Sequence, residues 1–289
     1  MSISDGRVVI ITGAGQGIGR AHALAFAADG ARVVVNDMGD SARETAELVT
    51  AAGGEAVVST GDVSDWAYGE TLVRAAVDSF GRLDALVNNA GLVRDRMLVN
   101  MSEDEWDLVL KVDLKGHFVP LRHAAAYWRE QSKAGNPVAA RVVNTSSGAG
   151  LLGSVGQGNY CAAKAGVLAL TQVAAVEFSR FGVKLNAIAP AARTPMTEAV
   201  FAQTMAKPET GFDPMDPANV CPLVVWLASA ECEVTGRTFE VEAGKIGIAD
   251  GWQHGPTADR GALWPVTEIG AAVDKLLAQA PEPAPVYGS

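Results

Sequence analysis

A tyrosine and a lysine stand four residues apart in the segment Tyr160-Cys161-Ala162-Ala163-Lys164. On a helix this spacing places both side chains on one face. A phenol with a pKa of about 10 exchanges protons poorly at neutral pH. A neighbouring ammonium stabilises the phenolate and lowers that pKa. The pair therefore indicates general acid–base chemistry, although the spacing alone occurs often by chance.

A glycine-rich segment, Thr12-Gly13-Ala14-Gly15-Gln16-Gly17-Ile18-Gly19, directly follows the first apolar run. Glycines let the backbone turn tightly and approach a pyrophosphate, whose charge then lies at a helix N-terminus. Asp37 follows Gly19 by 18 residues and ends the second apolar run. That spacing suits a carboxylate that binds ribose hydroxyls. We predict a dinucleotide site; the alternative is a plain tight turn with Asp37 merely ending a strand.

The same loop predicts which dinucleotide binds. The 2′-phosphate of NADP would meet the like charge of Asp37, and Gln16 supplies no cation to offset it, so NAD is the expected cofactor. Asp62 and Val63, at the end of the third apolar run, could flank the adenine. Asp62 is equally well placed as a helix cap, and the two interpretations stay open.

The elements that must position these residues alternate along the chain. Short β-branched runs occur at 7–12, 32–36, 56–59, 85–88, 141–145, 183–188 and 238–241, and helical stretches separate them. This alternation predicts an α/β, doubly wound (Rossmann) fold: a parallel seven-stranded sheet with helices on both faces, in a single domain. Ligands of such sheets bind at the carboxyl ends of the strands, where the motifs above lie.

We assign residues 1–252 to this domain. Within it, 191–217 are rich in Pro, Thr and Met, and we expect a lid there with one short helix near 197–205. Residues 253–289 form a C-terminal extension. We expect it to contain one amphipathic helix, capped by Thr267, and a Pro-rich tail that is disordered.

The motifs occur together in a known order. The glycine pattern, Asn88-Asn89-Ala90-Gly91, Ser146-Ser147 and the Tyr160–Lys164 segment resemble the short-chain dehydrogenase/reductase family over residues 7–251. The resemblance implies that Ser147 holds the substrate oxygen, with Ser146 as the alternative serine. It implies that Tyr160 is the general acid/base, and that Lys164 binds the nicotinamide ribose and lowers the Tyr160 pKa.

The resemblance also extends the cofactor site, and two departures accompany it. The expected cofactor-binding residues are Gly13, Gln16, Gly17, Ile18, Gly19, Asp37, Asp62, Val63, Asn89, Ala90, Gly91, Tyr160, Lys164, Pro190 and Thr194. The family's Asn, which holds a water in a proton relay from the lysine, is replaced by Asp113, which we include among the catalytic residues. The family's Pro-Gly is Pro190-Ala191 here, and Thr194 is expected to meet the nicotinamide carboxamide.

Finer features are similar to the (3R)-hydroxyacyl-CoA dehydrogenase domain of peroxisomal multifunctional enzyme type 2 and its bacterial relatives, which include 3-oxoacyl-carrier-protein reductases. This similarity implies hydride transfer on a secondary alcohol or ketone, with a 3-hydroxyacyl or 3-oxoacyl thioester as the favoured substrate. The alternatives are a hydroxysteroid dehydrogenase and a non-catalytic dinucleotide-binding protein of the same fold. For a thioester, the candidate cations at the cleft rim are Arg94, Arg96, Arg193 and Lys207.

Composition limits the remaining partners. A formal charge of −10 argues against nucleic acid. The chain has neither a long apolar run nor a signal-like N-terminus, so we expect a cytoplasmic protein with no membrane partner. The three cysteines and four histidines show no metal-ligand spacing, and we predict no metal. Helix 158–180 is apolar on more than one face, which favours a homo-oligomer, dimer or tetramer, over a deeply buried monomer helix.

Overall fold

The computed structural model describes residues 2–198, 205–249 and 251–288, and these form an α/β structure around one eight-stranded sheet. The strands are β1 Val8–Ile11, β2 Arg32–Asp37, β3 Glu55–Thr60, β4 Ala85–Asn88, β5 Ala140–Thr145, β6 Val183–Ala191, β7 Thr238–Glu242 and β8 Lys245–Ala249. Their order is β3-β2-β1-β4-β5-β6-β7-β8. The first seven strands are parallel, as predicted, and β8 runs antiparallel to β7.

The predicted count of seven strands was therefore wrong by one. Strand β8 follows β7 through a tight hairpin and lies at the sheet edge, where Ile246 and Ile248 are largely exposed. An exposed edge strand lacks the continuous apolar run by which a buried parallel strand is identified in a sequence.

Helices cover both faces of the sheet. They are α1 Gly17–Ala28, α2 Ser41–Ala51, α3 Trp66–Phe80, α4 Glu103–Val109, α5 Gly116–Lys133, α6 Gly148–Leu152, α7 Gly158–Ser179, α8 Pro195–Glu198, α9 Cys221–Leu227 and α10 Val266–Leu277, with a π-helical turn over Leu110–Lys115. One apolar core lies between the sheet and α1, α2 and α9, and the other lies under α3, α5 and α7. Burial on both faces explains the uninterrupted apolar strands.

The direction in which successive strands are added to the sheet reverses between β1 and β4. Strands β2 and β3 lie on the β1 side of this point, and β5 to β8 lie on the β4 side. A crevice opens at such a switch point, outside the carboxyl ends of the strands. The glycine loop follows β1 and Asn89 follows β4, so both motifs lie at this crevice.

Helix α7 carries the tyrosine–lysine pair and is both long and apolar. Its length and mean hydropathy would allow it to cross a membrane, and it is the one described helix that meets this criterion. It packs against β6 and α6, and Val167, Ala174 and Ala175 are buried there. Val173 and Val176 on its other face are 56% and 77% exposed. These contacts are those of a core helix with one side uncovered.

Two segments stand outside the sheet pattern. In the expected lid, α8 covers Pro195–Glu198, and the rest of the predicted helix, at 199–204, lies outside the described residues. In the extension, α10 begins at Val266 with Pro265 at its N-cap position, rather than after a Thr267 cap. The Pro-rich segment expected to be disordered, 281–285, has no regular secondary structure, and Tyr287, which follows it, forms a β-bridge with Ser154.

His22, on α1, is fully buried, and neither of its ring nitrogens has a hydrogen-bond partner among the described residues. Burial lowers its pKa from 6.5 to about 3. As the pH falls below 6.5, the unfolded chain binds a proton that the folded protein excludes, so stability is lost on acidification. His22→Leu should therefore reduce the loss of unfolding free energy between pH 7 and pH 5 by about 2 kcal/mol.

Urea unfolding at the two pH values measures this difference. His254→Leu is the matched control, because His254 is exposed and its replacement should leave the pH dependence of stability unchanged. Equal pH dependence in wild type and His22→Leu would show that His22 is protonated in the folded protein.

Candidate active site

The glycine loop forms a cradle with no room for side chains. A β-carbon on Gly13 would lie 2.7 Å from the Ala90 Cα, and one on Gly19 would lie 2.1 Å from the Gly13 carbonyl oxygen. Gly13 and Gly17 also adopt positive φ angles of 61° and 54°, a conformation that favours glycine. No side chain caps α1 after Gln16. The free amides of its first turn and the bare backbone fit the pyrophosphate of a dinucleotide.

Strand β4 contributes the opposite wall of the cradle. The Asn89 side-chain amide donates to the carbonyls of Thr12 (3.1 Å) and Gly13 (3.2 Å). The Thr12 hydroxyl accepts from the backbone amides of Asn89 (2.9 Å) and Ala90 (3.1 Å). These bonds join β1 to β4 across the switch point. The sequence reasoning gave Thr12 no role, although it opens the glycine motif.

Asp37 lies at the end of β2 and is held by two backbone amides. Its carboxylate accepts from Gly15 (2.9 Å) and Met38 (2.7 Å), and it lines the cavity. Arg20, on α1, donates to the Gly15 carbonyl and forms an ion pair with Glu44 at 3.0 Å. The Arg20 guanidinium near Asp37 is therefore already bound to the Gly15 carbonyl and the Glu44 carboxylate.

Asp62 and Val63 both line the same cavity. The N-cap of α3 is Asp65, whose side chain accepts from Tyr68, so Asp62 is not that helix's cap. Instead, Asp62 accepts from the Ser64 amide and hydroxyl and forms an ion pair with Lys111 at 3.1 Å. Its carboxylate is thus oriented within its own turn at the cavity wall.

The two serines after β5 have different surroundings. Ser146 is buried, and its hydroxyl donates to the Lys164 carbonyl at 2.8 Å. Ser147 is the N-cap of α6, and its hydroxyl accepts from the Ala149 amide at 3.2 Å. In that bond the Ser147 oxygen is the acceptor, so its proton can still be donated toward Tyr160 or a substrate, whereas the Ser146 proton is bound to the Lys164 carbonyl. This arrangement favours Ser147 as the serine that holds a substrate oxygen.

Helix α7 presents Tyr160 and Lys164 on one face beside Ser147. The Lys164 ammonium lies 5.5 Å from the Tyr160 ring centroid and donates to the Thr145 carbonyl at 3.0 Å. Burial raises the pKa of the Tyr160 phenol above its ordinary value, although the charge of Lys164 and a hydrogen bond with Ser147 act to lower it. The sequence reasoning anticipated the effect of Lys164 but not the larger effect of burial.

Asp113 lies behind the cavity wall rather than on it. It is fully buried in the π-helical turn, accepts from the Leu92 amide at 2.8 Å, and places its other oxygen 3.4 Å from the Lys164 ammonium. Burial raises the pKa of this carboxyl, while Lys164 and the Leu92 amide oppose the rise. The carboxylate also acts to raise the Tyr160 pKa. Asp113 can therefore change the Tyr160 pKa only through its own charge and through its ion pair with Lys164.

One cavity of about 770 Å³ unites these residues. Ser147 and every predicted cofactor-binding residue line it, whereas Asp113 does not. Lining residues that the sequence reasoning missed include Met38, Leu92, Gln157, Met205, Glu242, Tyr287 and Gly288. Met38, directly after Asp37, could have been inferred from its position. Among the described residues no group of three potential metal ligands occurs, and the three cysteines are free thiols.

The sequence matches a known enzyme family. Residues 7–205 match the family model described as short chain dehydrogenase. The chain belongs to the short-chain dehydrogenase family. This oxidoreductase family binds a nicotinamide dinucleotide, NAD or NADP, and the match confirms the resemblance drawn from the motifs.

Named relatives of the dehydrogenase agree with this family. It is 45% identical over 280 residues to the hydroxyacyl-CoA dehydrogenase ChsB1 of Mycobacterium tuberculosis, covering 93% of this chain and 88% of that protein. It is 42% identical to the peroxisomal multifunctional enzyme type 2 of Mus musculus over 253 residues, covering 84% of this chain but 32% of that protein. A crystal structure of a short chain dehydrogenase from Mycobacterium avium is 59% identical, with a TM-score of 0.93 over 99% of this chain and 100% of that chain.

Proposed function

We propose that this dehydrogenase transfers a hydride between NAD(H) and a secondary alcohol or ketone, and that its substrate is a 3-hydroxyacyl or 3-oxoacyl thioester. The observation that carries the reaction is the placement of Ser147, Tyr160 and Lys164 on the cavity that also contains the glycine cradle. The support for a thioester is similarity over 93% of this chain to a protein named as a hydroxyacyl-CoA dehydrogenase.

A bound nicotinamide dinucleotide would supply or accept the hydride, and the protein must then move one proton. In ketone reduction, the Ser147 hydroxyl donates a hydrogen bond to the carbonyl oxygen, and Tyr160 transfers its phenolic proton to that oxygen as charge develops. In alcohol oxidation, the Tyr160 phenolate accepts the proton from the alcohol. The Ser147 hydroxyl acts to lower the Tyr160 pKa and both residues line the cavity, so the two groups are near enough to act on one substrate oxygen.

Lys164 is held where its charge acts on this proton transfer. The Thr145 carbonyl and the Asp113 carboxylate fix its ammonium from behind. A positive charge beside the phenol stabilises the phenolate and offsets the cost of burial. Lys164 thus opposes the rise in the Tyr160 pKa that burial causes.

Asp113→Asn tests whether the carboxylate opposes this effect. Asparagine removes a negative charge that raises the Tyr160 pKa. The pKa should therefore fall. Because ketone reduction needs the protonated phenol, the basic limb of its pH–rate profile should move to lower pH. Steady-state rates of ketone reduction between pH 6 and pH 10 measure this limb.

The matched control is Asp107→Asn, which removes an exposed carboxylate from α4 and should leave the profile unchanged. An Asp113→Asn profile that overlays the wild-type profile would place Asp113 outside the proton-transfer system.

The support for NAD is the environment of Asp37. Two backbone amides fix its carboxylate at the cavity wall, where it can accept bonds from ribose hydroxyls and would repel a 2′-phosphate. The nearby cation, Arg20, already pairs with Glu44.

Two further features support the substrate class and a homo-oligomer. Arg94 and Lys207 are exposed and available to the phosphates of a carrier, whereas Arg96 pairs with Glu105 and Arg193 with Asp213. The exposed apolar side of α7, with Val173 and Val176, is suited to a second copy of this chain in a dimer or tetramer.

A steady-state screen with NAD⁺ tests the substrate assignment. We expect the highest kcat/KM for 3-hydroxyacyl-CoAs, with steroid alcohols and simple secondary alcohols below them. A steroid alcohol at the top of the series would contradict the thioester assignment, and the hydroxysteroid alternative would replace it.

A further inference from the structure

The C-terminal tail returns to the active site after a long excursion. The Tyr287 amide donates to the Gly153 carbonyl at 3.2 Å, and the Tyr287 carbonyl accepts from the Val155 amide at 2.9 Å. Tyr287 and Ser154 thereby form a parallel β-bridge. Two backbone bonds fix the tail against the loop that leads from α6 to α7, the helix of Tyr160.

This attachment places the Tyr287 ring beside Ser147. Gly148 directly follows Ser147, and a β-carbon on Gly148 would lie 3.1 Å from the Tyr287 hydroxyl oxygen and 3.2 Å from a ring carbon. The ring therefore lies close to the turn that follows Ser147 and fills the space that a side chain at Gly148 would need. Tyr287 lines the same cavity as Tyr160, and 47% of the residue is exposed. Part of its surface is therefore open to a ligand.

The ring lies away from the part of the cavity that fits the dinucleotide. The pyrophosphate cradle and Asp37 follow β1 and β2, whereas Ser147, Ser154 and Tyr287 lie beyond β5. Ser147 and Tyr160 are placed to hold the reacting oxygen, so the substituents on the reacting carbon must extend along the neighbouring wall.

We propose that Tyr287 is a specificity-determining residue whose ring limits the bulk of the substituent on the reacting carbon, an inference that rests on the proposed function. Apolar pockets discriminate by size: one methylene changes kcat/KM by roughly 10- to 200-fold. Removal of a whole ring from a pocket wall should therefore be visible in substrate choice. A change in cofactor binding is not expected, because the ring lies beyond β5 and away from the cradle.

The test compares Tyr287→Ala with wild type on paired substrates, one compact and one with a bulky branch next to the carbinol carbon. One pair consists of 3-hydroxyacyl-CoAs and the other of simple secondary alcohols, each with NAD⁺. We expect the ratio of kcat/KM, bulky over compact, to rise at least ~10-fold in Tyr287→Ala. Tyr287→Phe keeps the ring and should stay within about twofold of wild type.

Val266→Ala, an exposed residue of the same C-terminal extension, is the matched control and should leave the ratio unchanged. Calorimetric dissociation constants for the two alcohols, measured with NADH-bound protein in the Tyr160→Phe background, should show the same ratio change without turnover. An unchanged ratio in Tyr287→Ala would overturn the proposal, and so would an equal change in Tyr287→Phe, because the ring would then not be the determinant.

The two proposals fail in different ways. If the wild type oxidises the simple alcohols but not the acyl-CoAs, the thioester assignment fails while the alcohol pair still tests Tyr287. If the wild type oxidises acyl-CoAs and Tyr287→Ala leaves both ratios unchanged, the specificity inference fails while the proposed function stands.

Discussion

Replacing Tyr160 by phenylalanine is expected to lower turnover by at least ~100-fold, the effect typical of losing a general acid or base. The substitution removes one oxygen and keeps the ring, so the packing of α7 against the sheet should persist. Lys164 remains bound to the Thr145 carbonyl, and Ser147 keeps its cap on α6. The loss should therefore appear in kcat rather than in cofactor affinity.

Stopped-flow hydride transfer and NADH fluorescence titration separate these two quantities. Tyr127→Phe is the matched control, since it removes a phenolic oxygen from a partly buried tyrosine on α5, outside the cavity. Its turnover should stay close to the wild-type value. Near-normal turnover of Tyr160→Phe would show that another group carries the proton.

The second large effect concerns the cofactor. Two unit charges ~4 Å apart repel by about 4 kcal/mol at an effective dielectric constant of ~20. A 2′-phosphate beside Asp37 can turn toward solvent, and half of that figure still corresponds to roughly 30-fold. We expect NAD⁺ to be preferred over NADP⁺ by more than ~10-fold in kcat/KM.

Asp37→Ser should reduce this preference mainly by improving the use of NADP⁺. Because Asp37 also holds the Gly15 amide, a smaller fall in NAD⁺ use should accompany it. Asp40→Ser is the matched control: it removes an equally negative but exposed side chain at the start of α2 and should leave the preference unchanged. Both cofactors must be compared at one moderate ionic strength. Equal use of the two by the wild type would contradict the role of Asp37.

The sequence was sufficient for the parts of the fold with a local signal. Buried parallel strands need apolar runs, and glycines with left-handed backbone end the helices, as Gly30, Gly81 and Gly182 do with φ angles of 80° to 83°. The dinucleotide cradle was predictable for the same reason, since a close backbone approach requires glycine at fixed positions.

The missed features depend on long-range contacts. Tyr287 is positioned by backbone bonds to Gly153 and Val155, and nothing in the surrounding Pro-rich sequence specifies these partners. The position of Asp113 behind the wall follows from the π-helical turn, a geometry for which neighbouring residues give no periodic signal. Strand β8 depends on its hairpin with β7 rather than on burial.

The hydrogen bonds between Asn89 and Thr12 determine at which stage of folding the cofactor cradle can form. The cradle is built from two stretches 77 residues apart in the chain, so it cannot form when only the first three strands have been made. Closing so long a loop is entropically costly and is rewarded only when β4 docks beside β1. A nascent chain therefore completes the cradle only after β4 has been made and has docked beside β1. From that step on, a dinucleotide that binds both stretches opposes the separation of the two halves of the sheet.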